Sequence, residues 1–180
     1  MTPTADKLIQ PLTALFTTYI LLFLAEFFTD YSLVITGVGF LIIALILYRL
    51  RTVNRSLSIA AILHGVTGIL LFANAVWVML SIQLPWFAYI TSLFHILSSA
   101  FLIQGLASLS LTELRIPRYS TLFQRWLIVF ILVYGISMLS NTMPILALFS
   151  AITTTIYDLC WLIILYQFRH ALTLLPVEKK

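Results

Sequence analysis

An all-α fold is what this sequence predicts: a polytopic integral membrane protein built as a six-helix transmembrane bundle. Three observations predict it. First, the 180 residues are 62% hydrophobic and only 9% charged, whereas a soluble domain carries about 25% charged residues. The mean hydropathy, +1.08, agrees. Second, crossing roughly 30 Å of hydrocarbon takes about 20 mostly apolar residues, and such runs occur at 12–29, 31–50, 57–82, 86–109, 123–141 and 144–168. They use nearly the whole chain, so one transmembrane domain over 1–180 is expected and no separate soluble domain.

The third observation is where the charges fall. Lys7 precedes the first run. Arg49, Arg51 and Arg55 lie between the second and third, and Arg115, Arg118 and Arg125 between the fourth and fifth. Arg169, Lys179 and Lys180 follow the sixth. The alternate connections, at 29–30, 83–85 and 141–144, carry no Lys or Arg. The positive-inside rule then puts both termini in the cytoplasm of a multi-pass protein of the plasma (inner) membrane. The net charge of +4 is therefore a topology signal, with some attraction to anionic lipid heads. Nucleic acid is not an expected partner.

The elements follow in order. Residues 1–11 read as a polar tail ending at Pro11. The first run reads as an uncleaved helix, since one Lys precedes it and no A-x-A-like site follows. Glu26 lies within a turn of its outer end and Asp30 in the turn itself. No basic residue on that side neutralises them, so Glu26 reads as a cation attractor at an outer mouth. Solvated interfacial carboxylates are the plainer alternative. In the second run, Gly37 and Gly39 allow close helix approach, and Arg49 and Arg51 snorkel to the interface. The sequon Asn54-Arg55-Ser56 sits on the cytoplasmic side, where it reads as an empty match.

The third run sets His64 into a small-residue surface, with Ala60 and Gly68 four residues to either side and Ala61 and Gly65 beside it. A histidine bonded to a neighbouring helix is the plain reading. Trp77, Trp86 and Tyr89 read as interfacial anchors. The fourth run carries a polar stripe, Thr91, Ser92, His95, Ser98 and Ser99, at helical spacing. Lipid cannot satisfy such a stripe, so it should face protein or a water-filled cavity. The connection 111–125 alternates Leu and Ile with Glu113, Arg115, Arg118 and Arg125, split by Pro117. It reads as an interfacial anchor or a docking surface for a cytoplasmic partner. The fifth run is short, with Gly135, Ser137, Ser140 and Asn141.

The sixth run holds Asp158 near its middle. A charge at the centre of a membrane helix costs about 2.5–3.5 kcal/mol on insertion scales and marks a functional site by default. Ser150, Thr154 and Asp158 recur every four residues and share one face. Aligning the fourth and sixth runs pairs Ala88 with Ala151, Thr91 with Thr154, Gln104 with Gln167, and His95 with Asp158; Phe40 is the third equivalent. That pattern suggests three parallel two-helix hairpin repeats about an axis along the membrane normal. Chance recurrence of a few apolar residue types is the plainer account.

Chains of Asp, Glu and His carry protons in pumps and transporters, so His95 with Asp158, and His64 beside them, form the leading constellation. A buried polar contact that fixes helix register is the alternative. His64 and His95 differ in depth by about 9 Å at 1.5 Å per residue, which argues against a shared haem. A metal site needs three or four close ligands, and no second Asp lies at depth for an aspartyl dyad. The motifs G-x-S-x-G, H-E-x-x-H and C-x-x-C are absent. No catalytic residue, cofactor or metal is assigned, and an enzyme is not expected. The single Cys160 reads as a packing residue.

The expected function is a small membrane-embedded transport or conduction protein for protons or a small solute. Its candidate residues are Asp158, His95, His64, Glu26, Thr91, Ser98, Ser99 and Thr154. The alternative is a noncatalytic sensor, assembly or partner-docking subunit that uses Arg115, Arg118 and Arg125. The expected partners are the lipid bilayer and, beyond it, a second copy of the chain or another membrane or cytoplasmic protein.

Overall fold

Each apolar run folds as one helix. The computed structural model describes residues 5–25, 27, 32–82, 85–140 and 143–174. Among them are six α-helices and no strand: α1 (Ala5–Ala25), α2 (Ser32–Arg49), α3 (Arg55–Met79), α4 (Pro85–Thr112), α5 (Pro117–Ser140) and α6 (Ala147–Thr173). A 3-10 turn, Pro144–Leu146, leads into α6. All six helices are long and apolar enough to cross a membrane.

Short connections make sequential helices antiparallel neighbours. Each helix packs on the next, and α6 returns to pack on α1, so the bundle is a closed ring. One end carries Lys7, Arg49, Arg51, Arg55, Arg115, Arg118 and Arg169 and is called here the basic end. The other is the far end. Towards the basic end, polar ties hold the seam around α6. Arg169 Nε donates to Thr13 Oγ1 of α1 at 2.8 Å, and the Tyr119 hydroxyl of α5 donates to the Gln167 carbonyl at 3.0 Å.

The packed core fills the basic half. Leu15, Leu47, Leu57, Leu102, Leu106, Phe123 and Phe168 have no exposed surface. Aromatic edges interlock there: Phe123 meets Phe168 at 5.1 Å and Trp161 at 6.1 Å, both T-shaped. Farther along, α2 and α3 approach backbone to backbone. A Cβ on Gly68 would lie 2.9 Å from the Gly37 carbonyl oxygen, which explains glycine at both positions.

Helices α1, α4 and α5 begin or end beyond the bounds the sequence reading gives them. Residues 5–11 are helix, not a polar tail. Leu8, Leu12 and Leu15 continue one apolar stripe at helical spacing and all are buried. Pro11 removes only one backbone hydrogen bond from that turn. The 111–125 connection likewise shrinks to 113–116, because α4 runs to Thr112 and Pro117 opens α5. Proline at the first helical position gives up a hydrogen bond that position lacks anyway. Arg115 makes the turn with φ of 55°. Asn54 caps α3, its side chain accepting from the Ser56 amide at 2.7 Å; the sequon residues serve as a helix cap.

Candidate functional site

The far half is not filled. Between α2, α3, α4 and α5 lies a chamber of about 240 Å³. Thr36, Thr67, Thr91, Ser92 and Ser137 supply hydroxyls to its wall, and Leu71, Ile96 and Met138 supply apolar surface. It runs from Met138, near the far end of α5, to His95, about 15 Å from the start of α4 at 1.5 Å per residue. One water needs about 10–15 Å³ of such space, so the chamber accommodates a small solute.

His95 and Tyr134 line this chamber and also a deeper cavity of about 30 Å³. The deeper cavity adds Tyr19, Ser99, Tyr157, Asp158 and Trp161. It has room for a water or two by the same measure. The Tyr134 hydroxyl donates to Asp158 Oδ1 at 3.2 Å. A part-buried carboxyl away from bulk water needs donors, and the phenol supplies one. His95 is set by rings: Tyr134 at 5.0 Å, Phe40 at 5.1 Å and Phe130 at 6.4 Å between centroids. His95 and Tyr134 therefore stand together where the two cavities adjoin, and Tyr134 contacts the imidazole with its ring and the Asp158 carboxyl with its hydroxyl.

The other candidates divide. Thr91 is buried in the chamber wall and gives its hydrogen to the Phe87 carbonyl at 2.9 Å. Ser99 joins the deeper cavity. Ser98 lines neither cavity and donates to the His95 carbonyl at 2.9 Å. Thr154 also lines neither and donates to the Ser150 carbonyl at 2.9 Å. A hydroxyl has one hydrogen, so Thr91, Ser98 and Thr154 are committed to their own helix backbone. Spacing put the α4 and α6 hydroxyls on shared faces, but the backbone claims their hydrogens.

His64 is fully buried on the wall of Phe40, stacked at 5.3 Å with an interplanar angle of 23°. Its Nδ1 bonds the Ala60 carbonyl at 2.8 Å. A carbonyl only accepts, so Nδ1 carries that proton. Nε2 has no hydrogen-bond partner among the described residues. Phe40 thus touches both histidines, and its ring occupies the space the depth count leaves between them. Glu26 and Asp30 lie outside the described residues. Arg115, Arg118 and Arg125 are exposed at and near the basic end.

Tyr134 is the functional candidate that sequence reasoning missed, together with Thr36, Thr67, Ser137 and Tyr19. Its signal was a phenol in the middle of an apolar helix, beside Gly135 and one turn from Ser137. Against known proteins the chain matches no family model, no curated protein and no solved structure.

Proposed function

We propose that this is an integral, multi-pass membrane protein that moves protons or a small polar solute between its far side and its basic side. The basic end faces the cytoplasm, by the distribution of Lys and Arg. The observation that carries the reading is the far-half chamber whose inner end is His95 and Tyr134, the latter hydrogen-bonded to Asp158. A polar, roomy cavity leading to a titratable chain inside six apolar helices is what intramembrane transport requires. His95 takes the proton or donor group from the chamber, Tyr134 relays or orients it, and Asp158 is the anionic partner. The contact of Phe40 with His95, and the cavity His95 shares with Asp158, support three hairpin repeats meeting at one level. Glu26 keeps its proposed part as attractor at the far mouth.

The test is proton and cation flux in sealed vesicles, wild type beside Asp158→Asn. Flux in the wild type that disappears in a folded Asp158→Asn protein is expected. Flux undiminished in the variant removes Asp158 from the mechanism. No flux in the wild type under imposed pH and voltage gradients removes the transport reading.

One observation favours a second reading, a noncatalytic sensor or docking subunit. The chamber ends against the interlocked core of the basic half, and a dead-ended chamber suits binding without passage. Arg115, Arg118 and Arg125, exposed beyond that core, would then hold a cytoplasmic partner. Charge reversal at Arg115 and Arg118 loses that partner on this reading and leaves flux unaffected on the first.

A further inference from the structure

On the outside of the ring, α2 and α3 leave a groove of about 440 Å³. Leu41, Leu45, Tyr48 and Ile62 form its walls, and Ala44 and Gly65 its floor. Leu45, Tyr48 and Ile62 are more than half exposed, so the groove faces outward. The floor is open because its residues are small: a Cβ built on Gly65 meets only the Ala44 Cβ, at 3.8 Å.

At the basic end of the groove the chemistry changes. The Arg51 guanidinium lies 3.7 Å from the centre of the Tyr48 ring, within reach of a cation–π contact. Arg49 and Arg55 are exposed on either side of it in sequence. No Asp or Glu occurs between Asp30 and Glu113, so α2, α3 and α4 offer these arginines no carboxylate.

Length selects the occupant. The groove from Leu41 to Tyr48 spans about 10 Å at 1.5 Å per residue. One leaflet of a roughly 30 Å hydrocarbon core is about 15 Å deep. One acyl chain fits within that depth, and a phosphate above it supplies the anion that the arginines do not find on α2, α3 or α4.

The geometry points to a site for an anionic phospholipid of the basic-side leaflet, its acyl chain in the α2–α3 groove and its phosphate at Arg51, flanked by Arg49 and Arg55. The site rests on the membrane-spanning reading and is independent of transport.

The test reconstitutes the full chain into vesicles of phosphatidylglycerol and phosphatidylcholine with matched acyl chains, then reads the lipid retained on the released protein by native mass spectrometry. Each basic residue near an anionic surface favours the charged lipid by about fivefold. Wild type should therefore retain phosphatidylglycerol over phosphatidylcholine by at least about fivefold. The pair Arg51→Gln and Arg55→Gln should bring the two lipids towards parity. Gly65→Leu, which fills the floor, should lose both, with circular dichroism reporting an intact helical fold. Equal retention of both lipids by wild type overturns the proposal, as does retention that ignores a folded Gly65→Leu. A lipid-free dimer whose mass depends on Gly65 makes a second copy the occupant and also overturns it. A chain that washes off the vesicles in alkaline carbonate removes the membrane reading itself, which separates that failure from the others.

Discussion

The Tyr134 hydroxyl reaches Asp158 Oδ1 at 3.2 Å while its ring stands 5.0 Å from the ring of His95. One side chain of α5 thus touches the titratable groups of α4 and α6, and it sits where two cavities adjoin. The predictions begin with this bridge.

Tyr134→Phe removes the hydrogen donated to Asp158. An intramolecular hydrogen bond contributes about 0.5–1.5 kcal/mol, so a loss of that order is expected in thermal unfolding in detergent. Asp158→Asn beside it should not add. Contacting pairs show interaction energies of about 0.5–3 kcal/mol, and a double-mutant cycle measures this one. Simple additivity would mean that the two groups do not act as a pair.

Gly68→Ala and Gly65→Ala should behave oppositely. The new Cβ at Gly68 falls 2.9 Å from the Gly37 carbonyl oxygen and 2.8 Å from Leu41 Cγ. Overpacking of that kind costs about 1–3 kcal/mol. At Gly65 the nearest atom is 3.8 Å away, so helix propensity dominates and stability should rise by up to about 1 kcal/mol. Melting temperatures of the two variants, measured side by side, give the sign.

Arg169→Ala cuts the tie from α6 to Thr13 of α1. A loss of about 1 kcal/mol is expected. The more telling measurement is hydrogen exchange by peptide. Protection should fall in α1 and α6 and hold in α2 and α3, which the substitution does not touch. A uniform fall across the ring would deny that the seam opens by itself.

Leu106→Ala and Ser137→Ala compare the two halves. Leu106 is fully buried in the basic-half core, and truncation there should cost about 2–5 kcal/mol. Ser137 lines existing space, and its change should stay within about 0.5 kcal/mol. Equal costs would argue that the chamber is filled in solution.

Much of this architecture was legible in the chain. The six helices follow from the length of the apolar runs, and Asp158 and His95 were visible as the polar exceptions within them. The helix starts at Ala5 and Pro117 were less so. In each case a proline near the start looked like a boundary, and only burial of Leu8 and Leu12, or the position of Pro117 as first residue, resolves it. Ser98 and Thr154 show a second limit. Periodicity assigns a side chain to a face, but these two hydroxyls bond carbonyls of their own helix three and four residues back, whatever that face meets. Tyr134 shows a third. Tyrosine serves equally as an interfacial anchor, and no spacing rule says that a phenol on one helix will find a carboxyl on the next.

The unequal filling of the two halves has a mechanical meaning. Close-packed interiors resist deformation, and here the fully buried cluster around Phe123 and Phe168 fills the basic half while the chamber leaves space in the far half. The bundle is therefore a stiff base with a yielding rim. The open space lies between the far halves of α2 to α5, so displacement there disturbs fewer packed contacts than displacement in the core. A molecule entering from that side would meet walls that adjust to it and a floor that does not.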